Sequence, residues 1–318
     1  MVPTISVILP TFRRPQLLKV ALASLARSEG CAPTEVEVIV VDNNSGDVTP
    51  TVVSDIARDF PFPLRYVLEK VQGVSVARNR GAAEARGALF VYMDEDQQIH
   101  PGYLARVPQT YVETKADCFG GWLGYVGAEK FPSWLWTVIG RVGQRDFGPQ
   151  VRSLGIRDGR LAGGNMILPR EVFARFGGFR TDVGPNGKNT TYGEDLDLQD
   201  RILAAGGTVF YDPALRQNHY LDPERMKRSY YLSRAFQAGR GEYRLHRNEW
   251  AAAARLFGIP LFLWRRTVSA GLQAIARGLS KPEQSFNFLC RFLSDVGQCR
   301  EAFALRGNPK LISINPAS

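Results

Sequence analysis

The sequence predicts an α/β protein, with a mainly parallel sheet flanked by helices and a mostly helical extension behind it. Three observations predict this. The first hundred residues alternate short β-rich apolar runs with helical patterns, a further helical pattern at 194–205 closes on Gly206-Gly207, and apolar residues recur at helical spacing from Pro223 onward.

Ile5 to Leu9 is a compact apolar run closed by Pro10, and Pro15 opens a helix through Leu17, Leu18, Ala21 and Leu25. Val36 to Val41 is a second strand, ending in the turn formers Asp42-Asn43-Asn44-Ser45-Gly46. Thr51 to Phe60 is read as helix, Leu64 to Leu68 as strand, Ser75 to Arg86 as helix, and Ala88 to Met93 as a fourth strand stopping at Asp94. Strand–helix alternation at this pitch implies βαβ units. The stretch from Asp117 to Gly164, rich in Gly and aromatics, is expected to be loops and short strands before a strand from Met166 to Leu168. Glu194 to Ala205 is a helix with Leu198 and Ile202 one turn apart.

A chain of 318 residues, 44% apolar, can bury a substantial core. Cys31, Cys118, Cys290 and Cys299 form no CxxC pair or His/Cys cluster, which argues against a zinc site or a disulfide framework and points to a reducing cytoplasm. The opening MVPTISVILPTF lacks the basic and apolar regions of a signal peptide. The formal charge is +9, and the segment from Asp222 to Lys310, with sixteen Lys/Arg against seven Asp/Glu, carries the whole excess. A neutral body with a basic end points to a localised anionic partner, phospholipid headgroups before nucleic acid; an ordinary solvated basic face is the plainer reading.

The chemistry falls at the sheet's carboxyl edge. Pro10-Thr11, Asp42 and Asp94 each follow a strand, and ligands of open α/β sheets bind beyond the strands' carboxyl ends. Asp94-Glu95-Asp96 sets carboxylates at i and i+2, a donor set suited to Mg²⁺ or Mn²⁺ shared with phosphate oxygens; alone it could equally be an acidic turn. Glu194-Asp195 opens a helix, where the macrodipole stabilises acids, and Asp197 and Arg201 are spaced as an i, i+4 pair. The polar approach from Asn186 to Gly193 makes it instead a place for a carboxylate that removes a proton from an acceptor hydroxyl. His219 reads as a metal ligand, a phosphate contact or a structural histidine, Arg78 as a diphosphate contact or a surface group, and Gly163-Gly164-Asn165 as a close approach to ligand or a turn.

Several stretches occur in a telling order: Ser6-Val7-Ile8-Leu9-Pro10-Thr11-Phe12, Ile39-Val40-Val41-Asp42-Asn43-Asn44-Ser45, Gly73 to Gly81, Asp94-Glu95-Asp96, Gly163-Gly164-Asn165 with Gly177-Gly178-Phe179, and Gly193 to Leu198. Together they resemble glycosyltransferase family 2, the inverting enzymes with the GT-A fold, over roughly residues 4 to 220. The resemblance implies a Rossmann-like, mainly parallel sheet in a catalytic domain at 1–221, with a nucleotide-binding half at 1–100 and an acceptor-binding half at 101–221. It implies that Pro10, Thr11 and Asp42 bind the nucleoside, that Asp94 lies near ribose and metal, that Asp96 ligates Mn²⁺ or Mg²⁺, that His219 completes the metal site, and that Asp195 is the catalytic base. Arg13, Asn44, Arg78 and Glu95 make up the rest of the expected nucleotide-sugar site, and Gly163, Gly164, Asn165, Glu194 and Trp122 the acceptor or sugar pocket. The implied reaction is an inverting single displacement from a nucleotide-sugar, a UDP-sugar by preference, to a glycan or lipid-linked acceptor. Gln237-Ala238-Gly239-Arg240-Gly241 lacks the tryptophan of the Gln-x-x-Arg-Trp motif of processive members, so a non-processive, bacterial-type enzyme is expected. A sugar nucleotidyltransferase would need a Gly-rich basic loop after the first strand, where Thr11-Phe12-Arg13-Arg14 has none; a catalytically silent scaffold would not need Asp96 and Asp195.

The region 222–318 is read as a helical, basic extension. Trp264, Val268, Leu272, Ile275 and Leu279 form an amphipathic stripe with Arg265, Arg266, Gln273 and Arg277 off it, and Phe286, Leu289, Leu293 and Val296 form a second. Such a helix suits the surface of an anionic membrane, at its cytoplasmic face, while a hairpin packed on the catalytic domain or on a second copy in a homodimer explains the stripe too. No nucleic-acid partner is expected.

Overall fold

The computed structural model describes residues 4–142, 145–186, 191–280 and 282–306. The chain begins as the sequence predicts: β1 (Ile5–Thr11), α1 (Pro15–Ala26), β2 (Val36–Asp42), α2 (Thr49–Ala57), β3 (Leu64–Leu68), α3 (Val74–Glu84) and β4 (Leu89–Tyr92). Every residue of β1, β2 and β4 is buried, the pattern of strands covered by helices on both faces. These strands pair in parallel in the order β3-β2-β1-β4, with Thr11 opposite Asp42.

Beyond Asp96 follow β5 (Gln97–Ile99), α4 (Tyr103–Thr114), β6 (Cys118–Tyr125), α5 (Ser133–Val142), β7 (Arg152–Leu154), β8 (Met166–Pro169), α6 (Arg170–Phe176), α7 (Glu194–Ala204) and β9 (Val209–His219). The stretch 117–164 is therefore not all loops and short strands. β6 runs through its glycines because Gly120 and Gly121 lie against the backbone of Asn165 and Leu215, where a side chain has no room. α5 buries Leu135 and Ile139 despite its aromatic-rich sequence. The sheet continues from β4 through antiparallel β8 to β6 and β9, with β5 and β7 both antiparallel to β9. Apolar cores fill both faces, one under α1, α2 and α4, the other under α3, α6 and α7.

The extension comprises α8 (Arg228–His246), a short hairpin of β10 (Arg255–Leu256) and β11 (Ile259–Pro260), α9 (Leu261–Ser280) and α10 (Pro282–Ala304). α8 and α10 cross at glycines: a Cβ on Gly239 would fall 1.9 Å from the Ser294 carbonyl oxygen, and one on Gly297 would fall 2.1 Å from that of Phe236. Phe131, Leu135 and Val138 of the body share one core with Tyr231 of α8 and Phe286 of α10. The second stripe is thus divided, with Phe286 buried and Leu289 exposed. On the first stripe, Trp264, Val268, Leu272 and Ile275 stand exposed, so these residues are not packed on the catalytic domain. The side chains of Arg277 and Leu279, and residues 187–190 of the approach to α7, lie outside the described residues. Among the described residues no helix is long and apolar enough to cross a membrane.

Candidate active site

A cleft of about 750 Å³ opens at the carboxyl edge of β1 and β4 and is lined by residues from Pro10 to Ser294. Two walls come from the body. The third comes from the extension: Tyr230, Tyr231, Arg234, Ala235 and Ala238 on one face of α8, and Asn287, Cys290, Arg291 and Ser294 on one face of α10.

Pro10 and Thr11 line the cleft at the end of β1, and the buried Thr11 hydroxyl has no hydrogen-bond partner among the described residues. Asp42 does not line it. Its carboxylate accepts from the Ser45 amide at 2.9 Å and from the Tyr66 hydroxyl at 2.8 Å, which closes the turn after β2. Arg13 and Asn44 also lie off the cleft, Arg13 donating to the Ser45 carbonyl and Asn44 exposed in the left-handed region at φ 65°. Asn43, read from the sequence as a turn former and not as a ligand contact, does line it, and ties down the next loop by accepting from the Gly73 amide and donating to the Val71 carbonyl, both at 2.7 Å.

The acidic turn after β4 is fully engaged. Asp94 pairs with Arg78 at 2.9 Å, and Arg78 also reaches Glu194 at 3.1 Å. Arg78 is 3% exposed, so it is not a solvated surface group: it joins two carboxylates from distant parts of the chain and lines the cleft, and its buried Nε has no hydrogen-bond partner among the described residues. Asp96 receives His219 Nε2 at 3.2 Å, Arg14 at 2.9 Å and Arg225 at 3.3 Å. Burial opposes its charge, but His219, Arg225 and Arg14 together hold its carboxyl well below the ordinary range. Glu95 moves the other way, pushed up to about 8 by burial and by Asp96 and Asp94 against the pull of Arg14.

Strand pairing explains why Asp96 meets His219. Gln97 lies opposite His219 in the β5–β9 ladder, the Tyr220 amide donates to the Asp96 carbonyl at 2.7 Å, and the His219 ring stacks on Tyr125 of β6. A facing carboxylate and imidazole are a donor set that Mn²⁺ or Mg²⁺ accepts when phosphate oxygens complete the shell. Among the described residues no group of three or more His, Cys, Asp or Glu could hold an ion alone.

Asp195 sits in the first turn of α7, with one carboxylate oxygen accepting from the Gly163 amide and the other from the Leu196 amide, both at 3.0 Å. Gly163 and Gly164 pack against protein groups: a Cβ on Gly164 would fall 2.4 Å from Asp94 Oδ2, and one on Gly163 would fall 2.9 Å from an Arg78 nitrogen. Glu194 is buried, and burial followed by its neighbour Asp195 raises its pKa to about 7 against the pull of Arg78. Asn165 and Trp122 lie off the cleft. Asn165 is 0% exposed and accepts from Tyr103 and Gln217 while donating to the Trp122 and Leu215 carbonyls; the Trp122 ring carries Arg216 at 4.4 Å.

A comparison with family models decides the relationship: the model for glycosyl transferase family 2 matches residues 6–177, from β1 through the end of α6. The chain belongs to this family. That makes it a glycosyltransferase that draws on a nucleotide-sugar donor, and it removes the nucleotidyltransferase alternative. The chain is 27% identical to the succinoglycan biosynthesis protein ExoM of Rhizobium meliloti over 74% of its own length and 72% of the relative's. It is 33% identical to a GalNAc(5)-diNAcBac-PP-undecaprenol beta-1,3-glucosyltransferase of Campylobacter jejuni over 38% of each chain. Among solved structures it superimposes on the mannosyltransferase PcManGT of Pyrobaculum calidifontis in complex with GDP-Man and Mn²⁺, with a TM-score of 0.59 and 20% identity over 98% of this chain and 89% of that one. S. aureus TarS 1-349 in complex with UDP gives 0.55 and 15% over 94% and 91%. These likenesses show the GT-A fold, with the helical extension included in the match.

Proposed function

We propose that this family member is a non-processive inverting enzyme that moves a sugar from a UDP-sugar to a hydroxyl of a glycan or lipid-linked acceptor by metal-assisted single displacement. The observation that carries the reading is that Asp96 with His219, and Asp195 with its two amide donors, belong to one cleft.

Pro10, Thr11 and Asn43 receive the nucleoside, and Asp94, held by Arg78, faces the ribose. Asp96 and His219 would hold Mn²⁺ or Mg²⁺, whose positive charge offsets that of the departing diphosphate. Arg14 and Arg225 flank Asp96 and add charge on the same side. Asp195 takes the proton of the acceptor hydroxyl as that oxygen attacks the anomeric carbon opposite the diphosphate, which inverts the configuration. The Gly163 and Leu196 amides orient its carboxylate for this role. In this reading residues 1–221 carry the nucleoside, metal and base residues, and the extension from 222 adds Arg225 and the wall of α8 and α10. Gly241 supports the non-processive reading: a Cβ there would fall 2.1 Å from the Tyr192 carbonyl oxygen, which leaves no room for a tryptophan.

The exposed stripe on α9, from Trp264 at 37% to Ile275 at 66%, lies beside the exposed Arg265 and is the surface for an anionic membrane. The function is tested with a panel of nucleotide-sugars, Mn²⁺ or Mg²⁺ and candidate acceptors, scored by release of nucleoside diphosphate. Release that Asp96→Ala abolishes is expected; release untouched by Asp96→Ala and by chelation would reject the metal assignment.

A further inference from the structure

β10 and β11 join through a two-residue turn. Leu256 pairs with Ile259, which leaves Phe257 and Gly258 as the loop, with φ of 52° and 81°. Two successive positive φ values mark a type I′ turn, whose first position favours Asn, Asp or Gly. A bulky aromatic residue is strained there, and packing does not compensate, since Phe257 is 72% exposed. The chain thus holds a large apolar group at a hairpin tip against both backbone preference and hydration. The hairpin itself is firmly based. Arg255 donates to the Tyr243 hydroxyl and the Gly258 carbonyl, both at 3.0 Å, and to the Trp250 carbonyl at 2.8 Å. The Trp264 indole donates to the Leu256 carbonyl at 3.3 Å, so the exposed stripe of α9 adjoins the hairpin. Leu256, Leu261 and Phe262, all exposed, continue the apolar surface between them.

We infer that the Phe257 tip is a wedge that enters the acyl boundary of an anionic bilayer while the α9 stripe lies along its surface. This rests on the reading of α9 as a membrane surface and adds the element that sets the depth of contact. Charge favours a bilayer over a second copy of the chain. From Ala251 to Ala276 the sequence carries Arg255, Arg265 and Arg266 and no Asp or Glu, and the Arg306 side chain lies against Gly258 at the tip. Among the described residues the acids of α8, of α10 and of the turn after α8 are engaged. Asp295 pairs with Arg266, Glu301 with Arg240 and Arg244, Glu242 accepts from Gln298, and Glu249 stands 3.1 Å from His246. In a two-fold dimer this surface would meet itself, arginines facing arginines. Anionic headgroups suit it instead, with arginine forks reaching phosphates as the aromatic and aliphatic groups enter the acyl boundary.

Vesicles of equal parts phosphatidylglycerol and phosphatidylcholine are the probe, with partitioning of the full chain read by flotation across a lipid titration. Asparagine suits the first position of a type I′ turn, so Phe257→Asn should relax the hairpin while removing the wedge. This variant should melt at or slightly above the parent temperature yet partition about tenfold more weakly, the effect of one aromatic ring withdrawn from an apolar boundary. Phe257→Trp keeps a ring at the tip and should partition within about twofold of the parent. A role in folding alone predicts the opposite, a lower melting temperature with unchanged partitioning in Phe257→Asn, and that result would overturn the proposal. So would a dimer-to-monomer shift of Phe257→Asn in sedimentation, which would assign the tip to a contact between copies. The two readings fail separately. Unchanged partitioning in Phe257→Asn, with loss in the double variant Val268→Glu, Leu272→Glu, removes the wedge and leaves the α9 surface; a parent chain that does not bind the vesicles removes both.

Discussion

At the scale of single residues, the cleft is organised by carboxylates held in different ways. Asp195 is fixed by backbone amides, so replacing it with asparagine removes the basic oxygen with little change of shape. Asp195→Asn should lower turnover by about 10²–10⁴-fold, the usual contribution of a positioned base, while nucleotide binding measured by calorimetry is retained. Full transfer in this variant would exclude the role. Glu194 makes a different prediction. Its pKa is raised to about 7 in the folded chain from an ordinary 4.5, so between those values the folded state binds more protons than the unfolded one. Stability attributable to this group therefore falls as pH rises through that window and is lost above about 7. Glu194→Gln should melt close to the parent near pH 5 and several degrees above it near pH 8, in thermal scans across that range. A variant that loses ground as pH rises would show that the Arg78 pair outweighs burial.

At the scale of elements, the two long helices of the extension behave differently. α8 and α10 approach at Gly239 and Gly297 so closely that a methyl group meets backbone oxygen, which cannot be relieved by a rotamer change. Gly239→Ala should cost about 1–3 kcal/mol in chemical denaturation and reduce activity with it, because the same helices line the cleft. α9 packs inward through Leu263 and the Arg266–Asp295 pair and leaves its other face in solvent. Val268→Glu with Leu272→Glu should leave the melting temperature within a degree or two and abolish flotation with anionic liposomes. Unchanged flotation would remove the membrane reading, and a dimer-to-monomer shift in sedimentation would assign the stripe to a second copy.

At the scale of the whole molecule, body and extension share an apolar core, with Leu135 and Val138 of α5 packed with Tyr231 and Phe286. Removing either part exposes apolar surface on the other, so the two should unfold together. Calorimetry should give a single transition, with the calorimetric and van't Hoff enthalpies in agreement; two separated transitions would show an independently stable extension.

The sequence by itself determined the first hundred residues, the helix behind Asp195 and the helical character of the extension. Each is written in local patterns: apolar runs of strand length, turn formers at their ends, and one-turn spacing on helices. It also named Asp94, Asp96, Asp195 and His219 as candidates, from their place at strand and helix ends and from the resemblance of the ordered motifs to a family, and the fold brings all four to one cleft. Only the tertiary structure decided which groups face one another. Asp42 and Asn165 read as ligand contacts, yet in the fold both lie off the cleft and hydrogen-bond to other parts of the protein. Arg14, Arg225 and Arg234 carry no local mark that separates them from solvated arginines. Their position is set by strand pairing and helix crossing between residues far apart in the chain, and no short-range pattern records such contacts.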